Sequence, residues 1–267
     1  MSRSPVPSKP SPARALSRAI AETYWQPGLA AQPCHSEIFA PAGEASGAGL
    51  ALALARDALV AAGAGEEDAR HVLWVQDRKA IQLGGRPFLA GLPPDLRHRL
   101  IHVAAATPED ALFALEEGLK CRDLACVIGE IAGNPRALSF TASRRLSLTA
   151  ERHGVRLWLV RLDAELDLSS ARMRWRVRAG SSPLPRWNAA APGPATWEAE
   201  LFRARRYRPG QWMLSDANGS LHIVEHATEH VDEHGVERWI EHRAATPDIV
   251  HLARPTVGRS LAARARA

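Results

Sequence analysis

Lysine is almost missing from this chain. Lys9, Lys79 and Lys120 are the only three among 267 residues, so arginine supplies nearly all of the 34 basic side chains. The formal net charge is +5. A bias to arginine suits planar, bidentate recognition of phosphate or carboxylate. It is equally the mark of a GC-rich coding sequence, so composition leaves both readings open. Cysteine is scarce too. Three thiols, Cys34, Cys121 and Cys126, are too few and too odd in number for a disulfide framework. Cys121 and Cys126 read as buried thiols rather than a metal site. No run approaches the roughly 20 apolar residues that span a bilayer. The opening "MSRSPVPSKPSPARALSRAI" has no apolar core of signal-peptide type. A cytoplasmic protein with no membrane partner is the expectation.

What the chain does have is alternation of apolar runs with helical stripes. Hydrophobic residues make up 46% and charged residues 24%, enough for a sizeable core. Residues 1–12 are rich in Ser and Pro and read as a disordered tail. Residues 13–25 read as a short helix with Leu16, Ile20 and Tyr24 on one stripe. Near-continuous apolar strands are expected at 34–40, 71–77, 100–106, 125–131 and 155–163. Helices are expected at 50–62, from Thr107 to about Cys121, and at 139–154, with 84–99 a long turn-rich connection. Thr107 caps its helix, Pro108 fills the first position, and Glu109 and Asp110 suit the positive end. Buried strands alternating with helices predict an α/β fold with a mostly parallel sheet covered on both faces.

After residue 163 the texture changes to strict alternation. In "ARMRWRVRAG" Met173, Trp175 and Val177 share one face, and Arg172, Arg174, Arg176 and Arg178 share the other. The segments 196–206, "GQWMLSD", "SLHIVEHA" and "VERWIEHRA" read as further strands. The expected organisation is one domain over 13–250, with an α/β core at 34–163, an antiparallel extension at 171–250 and a basic tail at 251–267.

The segment "FAPAGEASGAGLALALA" places a glycine-rich turn between the first strand and an Ala-Leu helix. A phosphate loop reads G-x-x-x-x-G-K-[ST], its lysine neutralising phosphate and its hydroxyl holding magnesium. Gly43 and Gly47 keep a four-residue spacing, but Ala48 stands where lysine belongs and Gly49 where the hydroxyl belongs. The backbone cradle and helix dipole would survive these changes. The two side-chain anchors would not. The expectation is a degenerate loop kept as a tight turn, with neither ATP nor magnesium as cofactor and no catalytic residue.

The blocks "GRPFLAGL" (85–92), "PEDALFALEEGLKCRDLACVIGEI" (108–131), "RLWLV" (156–160), "ARMRWRV" (171–177) and "TWEAELFRAR" (196–205) resemble the inducible-mutagenesis protein A (ImuA) family, a RecA-like bacterial group also linked to the division inhibitor SulA. The resemblance implies a RecA-like core. It also implies a role in SOS-induced, error-prone translesion DNA synthesis, beside a polymerase-related protein (ImuB) and an error-prone DNA polymerase, with RecA or DNA as further contacts. In a RecA-type enzyme an acid after the second strand activates water. Asp77 stands near that point, although Arg78 competes for the register. Glu130 in "VIGEI" is the candidate metal-supporting acid, or simply a cap of the next turn. An adaptor without catalysis leads. A DNA-dependent ATPase, a RecA-like protein that binds nucleotide weakly without hydrolysis, and a SulA-like division inhibitor are the alternatives.

Two patterns remain. Arg172, Arg174, Arg176 and Arg178, with Arg203, Arg205, Arg206 and Arg208, would form a positive stripe along a nucleic-acid backbone. Glu198 and Glu200 on the neighbouring segment offer cross-strand pairing instead, and partner-protein binding is a third use. The repeat "HIVEHATEHVDEHGVERWIEH" (222–242) would line histidines on one face of a helix, as a metal site needs. Its β-branched residues and the turn at Gly235 favour a hairpin with solvated histidines.

Overall fold

The computed structural model describes residues 24–29, 34–63, 68–185, 188, 190–217 and 219–226. Six strands run parallel: β1 (His35–Ala40), β2 (His71–Asp77), β3 (Leu100–Ala105), β4 (Leu124–Ala132), β5 (Arg156–Leu162) and β6 (Met173–Ala179). Three more continue the sheet antiparallel: β7 (Ala195–Ala204), β8 (Gly210–Ala217) and β9 (Ser220–His226). The order across the sheet is β3-β2-β4-β5-β1-β6-β7-β8-β9. The fold is therefore α/β with a mostly parallel sheet and antiparallel strands at its C-terminal side. One expectation is corrected here. The alternating segment at 171–180 is not the first antiparallel strand, because β6 pairs parallel to β1 and turns the sheet antiparallel only on its other side.

Helix α1 (Ser46–Ala61) covers one face. Leu50, Leu54, Ala58 and Leu59 are buried, and the helix starts four residues before the expected 50. The short helices α2 (Arg78–Gly84) and α3 (Pro94–Arg97) add Ala80 and Leu96 to the same core; residues 84–99 are thus not all loop. Helices α4 (Pro108–Lys120) and α5 (Phe140–His153) cover the other face. Thr107 caps α4 through the Asp110 N–H, and Gly154 ends α5 in the left-handed conformation at φ 71°. The run at 100–106, read as buried, forms the sheet's outer strand β3, where Ile101 is exposed.

All six described tryptophans lie in the α1-side core. Trp25, Trp175 and Trp212 make a triangle, with ring centroids 4.8, 5.7 and 5.8 Å apart. Edge-to-face contacts of this kind add to the burial of large apolar area. Trp25 is fully buried and Tyr24 bridges to Arg208, so residues 24 and 25 are not helical but dock on the sheet. The rest of the expected 13–25 helix, with Leu16 and Ile20, lies outside the described residues, as do the tails and residues 227–267. Replacing Trp25 by Ala is expected to cost about 3–5 kcal/mol, read as a lower urea midpoint. A loss below about 1 kcal/mol would place Trp25 outside the core.

Candidate functional site

The turn between β1 and α1 is held by its own chain. The Ala42 N–H donates to the Asp163 carboxylate at 2.9 Å, and Asp163 adopts a positive φ of 47° to reach it. Glu44 reaches the other way and accepts from the Ala179 N–H at 2.7 Å, at the last residue of β6. The phosphate-loop motif separates its glycines by five positions. Gly43 is therefore one residue out of place, and Ala42, which is buried, holds the motif's first glycine position.

Gly47 stays glycine for contact reasons. A Cβ there would lie 2.7 Å from both the Ala40 Cβ and the Val160 Cγ1. A Cβ at Gly49 would meet the Trp197 indole at 3.1 Å. Ala48 is half-buried against the core. Ser46 is buried, and its hydroxyl has no partner among the described residues.

Asp77 and Glu130 sit in a separate buried network at the C-terminal ends of β2 and β4. Asp77 caps α2, accepting from the Ala80 N–H at 2.6 Å, and its second oxygen faces the Ala132 N–H at 3.4 Å. Both oxygens are thereby turned to backbone. Glu130 accepts from the Trp74 indole at 2.6 Å and from the Gln76 amide at 3.1 Å. The same amide nitrogen donates to the Gly85 carbonyl at 2.9 Å, and the Gln76 oxygen faces His102 Nε2 at 2.9 Å. The network thus sets His102 as the Nε2–H donor. Burial pushes the Glu130 carboxyl up to about 7, the two donors pull it back, and nearby Asp77 adds to the rise. Register pairs Glu130 with Val160, and Val160 with Ile38. Glu130 is therefore two strand spacings, about 10 Å, from β1.

The arginines of β6 share a face as the alternation requires, but not one environment. Arg174 is buried and donates to Glu37 at 2.8 Å, with the rings of Phe39 and Phe202 at 5.0 and 5.4 Å. Arg176 pairs with Glu200 across the strands, and Arg172 pairs with Glu151 at 3.0 Å. Arg178 is exposed opposite Glu198 in the register. Arg205 and Arg206 are exposed just past β7. The continuous solvent-facing stripe is therefore interrupted at Arg174, and cross-strand pairing accounts for Arg176.

Sequence reasoning missed Glu37, which is fully buried between Arg174 and Arg161, the latter at 3.9 Å. Ser169 donates to Glu37 at 2.7 Å. Its proton committed, Ser169 accepts from Ser143 at 2.9 Å. A second hydroxyl chain joins Ser170, Ser147 and His35 Nδ1 at 2.6 and 2.7 Å. Burial holds His35 down to about 4, so it is neutral. The available signal was a pair of opposite charges, Glu37 and Arg161, set against apolar residues: Ile38 and Phe39 follow the first, and Val160 and Leu162 flank the second. Such charges are buried only when paired.

No cluster of metal-ligating side chains occurs among the described residues. His222 is exposed on β9, and the rest of the Glu-His repeat lies beyond the described side chains. No helix among the described residues is long and apolar enough to cross a membrane.

Two outcomes are expected. Glu37→Gln leaves two buried guanidinium groups without a counter-charge and should cost about 3–5 kcal/mol in denaturant titration. A neutral result would mean that the pair adds nothing. Glu130 has a folded pKa above its unfolded value, so its contribution is present at pH 4.5 and is lost as pH rises through 7. The stability gap between wild type and Glu130→Gln should shift by about 3 kcal/mol toward the variant between pH 5 and 8. A flat difference would place the carboxyl in water.

No family model matches the chain. It is 33% identical over 154 residues to the protein named "Protein ImuA" from two strains of Caulobacter vibrioides, NA1000 / CB15N and ATCC 19089 / CIP 103742 / CB 15. The match takes in 54% of this chain and 59% of each relative, so the chain spans rather more than half the length of the curated proteins it matches. The blocks quoted from the sequence and this identity agree: over the matched residues the chain is similar to Protein ImuA.

Proposed function

We propose that this protein serves DNA-damage-inducible mutagenesis as a non-catalytic, RecA-like accessory protein. It works by contact with an ImuB-like polymerase-related protein and an error-prone DNA polymerase, with RecA and DNA as further contacts, in the cytoplasm. The likeness to ImuA supports the pathway. The RecA-like reading is supported by a parallel sheet in which β1 lies inside, between β5 and β6, and opens through a glycine turn into α1.

The observation that carries the non-catalytic reading is the turn's own occupancy. A phosphate cradle needs free backbone N–H groups and a cation. Here Asp163 brings a carboxylate to the Ala42 N–H, and Ala48 supplies no charge. A magnesium ligand at position 49 would have to displace the Trp197 indole. The residues present do not fit a magnesium nucleotide. The acids give no substitute, because Asp77 is spent on backbone N–H groups and Glu130 is locked by Trp74 and Gln76.

Phosphate release from Mg-ATP should stay at background with and without single-stranded DNA. The Ala48→Lys/Gly49→Thr double variant should gain none, since the loop's carboxylates and Trp197 remain. Turnover by the wild type that Glu130→Gln abolishes would overturn the reading.

A further inference from the structure

Helices cover the second sheet face only as far as β1 and β5. Between α5 and the β6–β7 pair they leave an open basin of about 530 Å³. Four guanidinium groups surround it: Arg144 from α5, Arg172 just before β6, Arg203 from β7 and Arg205 just after it. Arg172 is paired with Glu151 at 3.0 Å. Arg144, Arg203 and Arg205 are exposed and make no ion pair among the described residues. The floor is polar, lined by Ser147, Ser169 and Ser170. Phe140 and Leu148 stand on the α5 side, 48% and 52% exposed.

Three properties select the ligand. Several guanidinium forks around one basin match phosphate oxygens in charge and hydrogen bonding. An exposed ring beside them offers a stacking surface that an unpaired base can use and a paired base cannot. The basin's volume of about 530 Å³ suits a nucleotide or two. An extended acidic peptide would lack main-chain partners, because β6 is already paired to β1 and β7, and β7 to β6 and β8. The Arg205 N–H is also taken, by the Arg172 carbonyl at 3.1 Å.

We propose that this basin binds single-stranded nucleic acid, with phosphates on Arg144, Arg203 and Arg205 and one unpaired base against Phe140. The site differs from a stripe along β6: Arg174 lies beneath it as part of the buried Glu37 pair, and Arg176 and Arg178 are not among its walls. It is also independent of the nucleotide question at the glycine turn.

The test is fluorescence anisotropy of the full chain with a labelled 20-residue oligo-dT, titrated across salt concentrations. Removing both Arg144 and Arg205 (to Ala) should weaken binding about tenfold or more and flatten the plot of log affinity against log salt by about 1.4, for two lost single-strand phosphate contacts. Phe140→Ala should weaken binding about fivefold or more with the salt slope unchanged, the mark of lost stacking. Arg122→Ala, exposed on the chain but outside the basin, should bind as wild type does. Unchanged affinity in the basin variants would overturn the assignment. So would an equal loss in Arg122→Ala, or displacement of the oligonucleotide by deca-glutamate at matched charge, which would mark the basin as an acidic-peptide site. Absence of ATP hydrolysis has no bearing on any of these readings.

Discussion

Helix α1 begins so close to the sheet that a methyl group at Gly47 would overlap Ala40 and Val160. That approach organises the middle of the molecule. It brings Gly49 against Trp197, sets the turn within reach of Asp163 at the end of β5, and lets Glu44 hold the last residue of β6. The turn is thereby tied to three strands at once. Gly47 and Gly49 serve close packing, which needs neither a bound phosphate nor a metal.

The two sheet faces then divide the work. The α1 side is built on indoles, with Trp25 pinning the segment before β1 onto β6 and β8 and Trp74 holding the buried Glu130. The α5 side carries charge inward. Glu37 sits under two arginines, so the buried centre there has an excess of positive charge, and serine hydroxyls relay its hydrogen bonds outward to α5. Arg174 is held by that centre, while Arg144, Arg203 and Arg205 at the surface are left for a ligand. The open end of that face is where the protein has both charge and space.

Much of the fold was legible as pattern. The apolar runs at 34–40, 71–77, 125–131 and 155–163 became inner strands, and Thr107 and Gly154 marked helix ends by capping physics alone. Neighbours were not legible. The alternation in "RMRWRVRA" is the same whether the strand pairs parallel or antiparallel, so its pairing with β1 could not be read from it. The run at 100–106 looked buried because apolar content says nothing of edge position, and Ile101 faces solvent. Helix α2 has one buried residue and no apolar stripe; only Asp77 as its cap hinted at it. At the site, the missing lysine and hydroxyl were plain in the sequence. The carboxylate on Ala42 comes from 121 residues away, and the burial of Arg174 depends on Glu37, 137 residues away. Long-range partners of that kind leave no local trace.

A turn whose Ala42 N–H is held by Asp163 and whose position 48 carries no cation is tested most directly by calorimetric titration of the full chain with Mg-ATP. No saturable heat is expected at nucleotide concentrations up to the millimolar range. Stoichiometric micromolar binding that Gly47→Ala abolishes would show a working nucleotide site at this turn, and the reading of a protein acting by contact alone would be wrong.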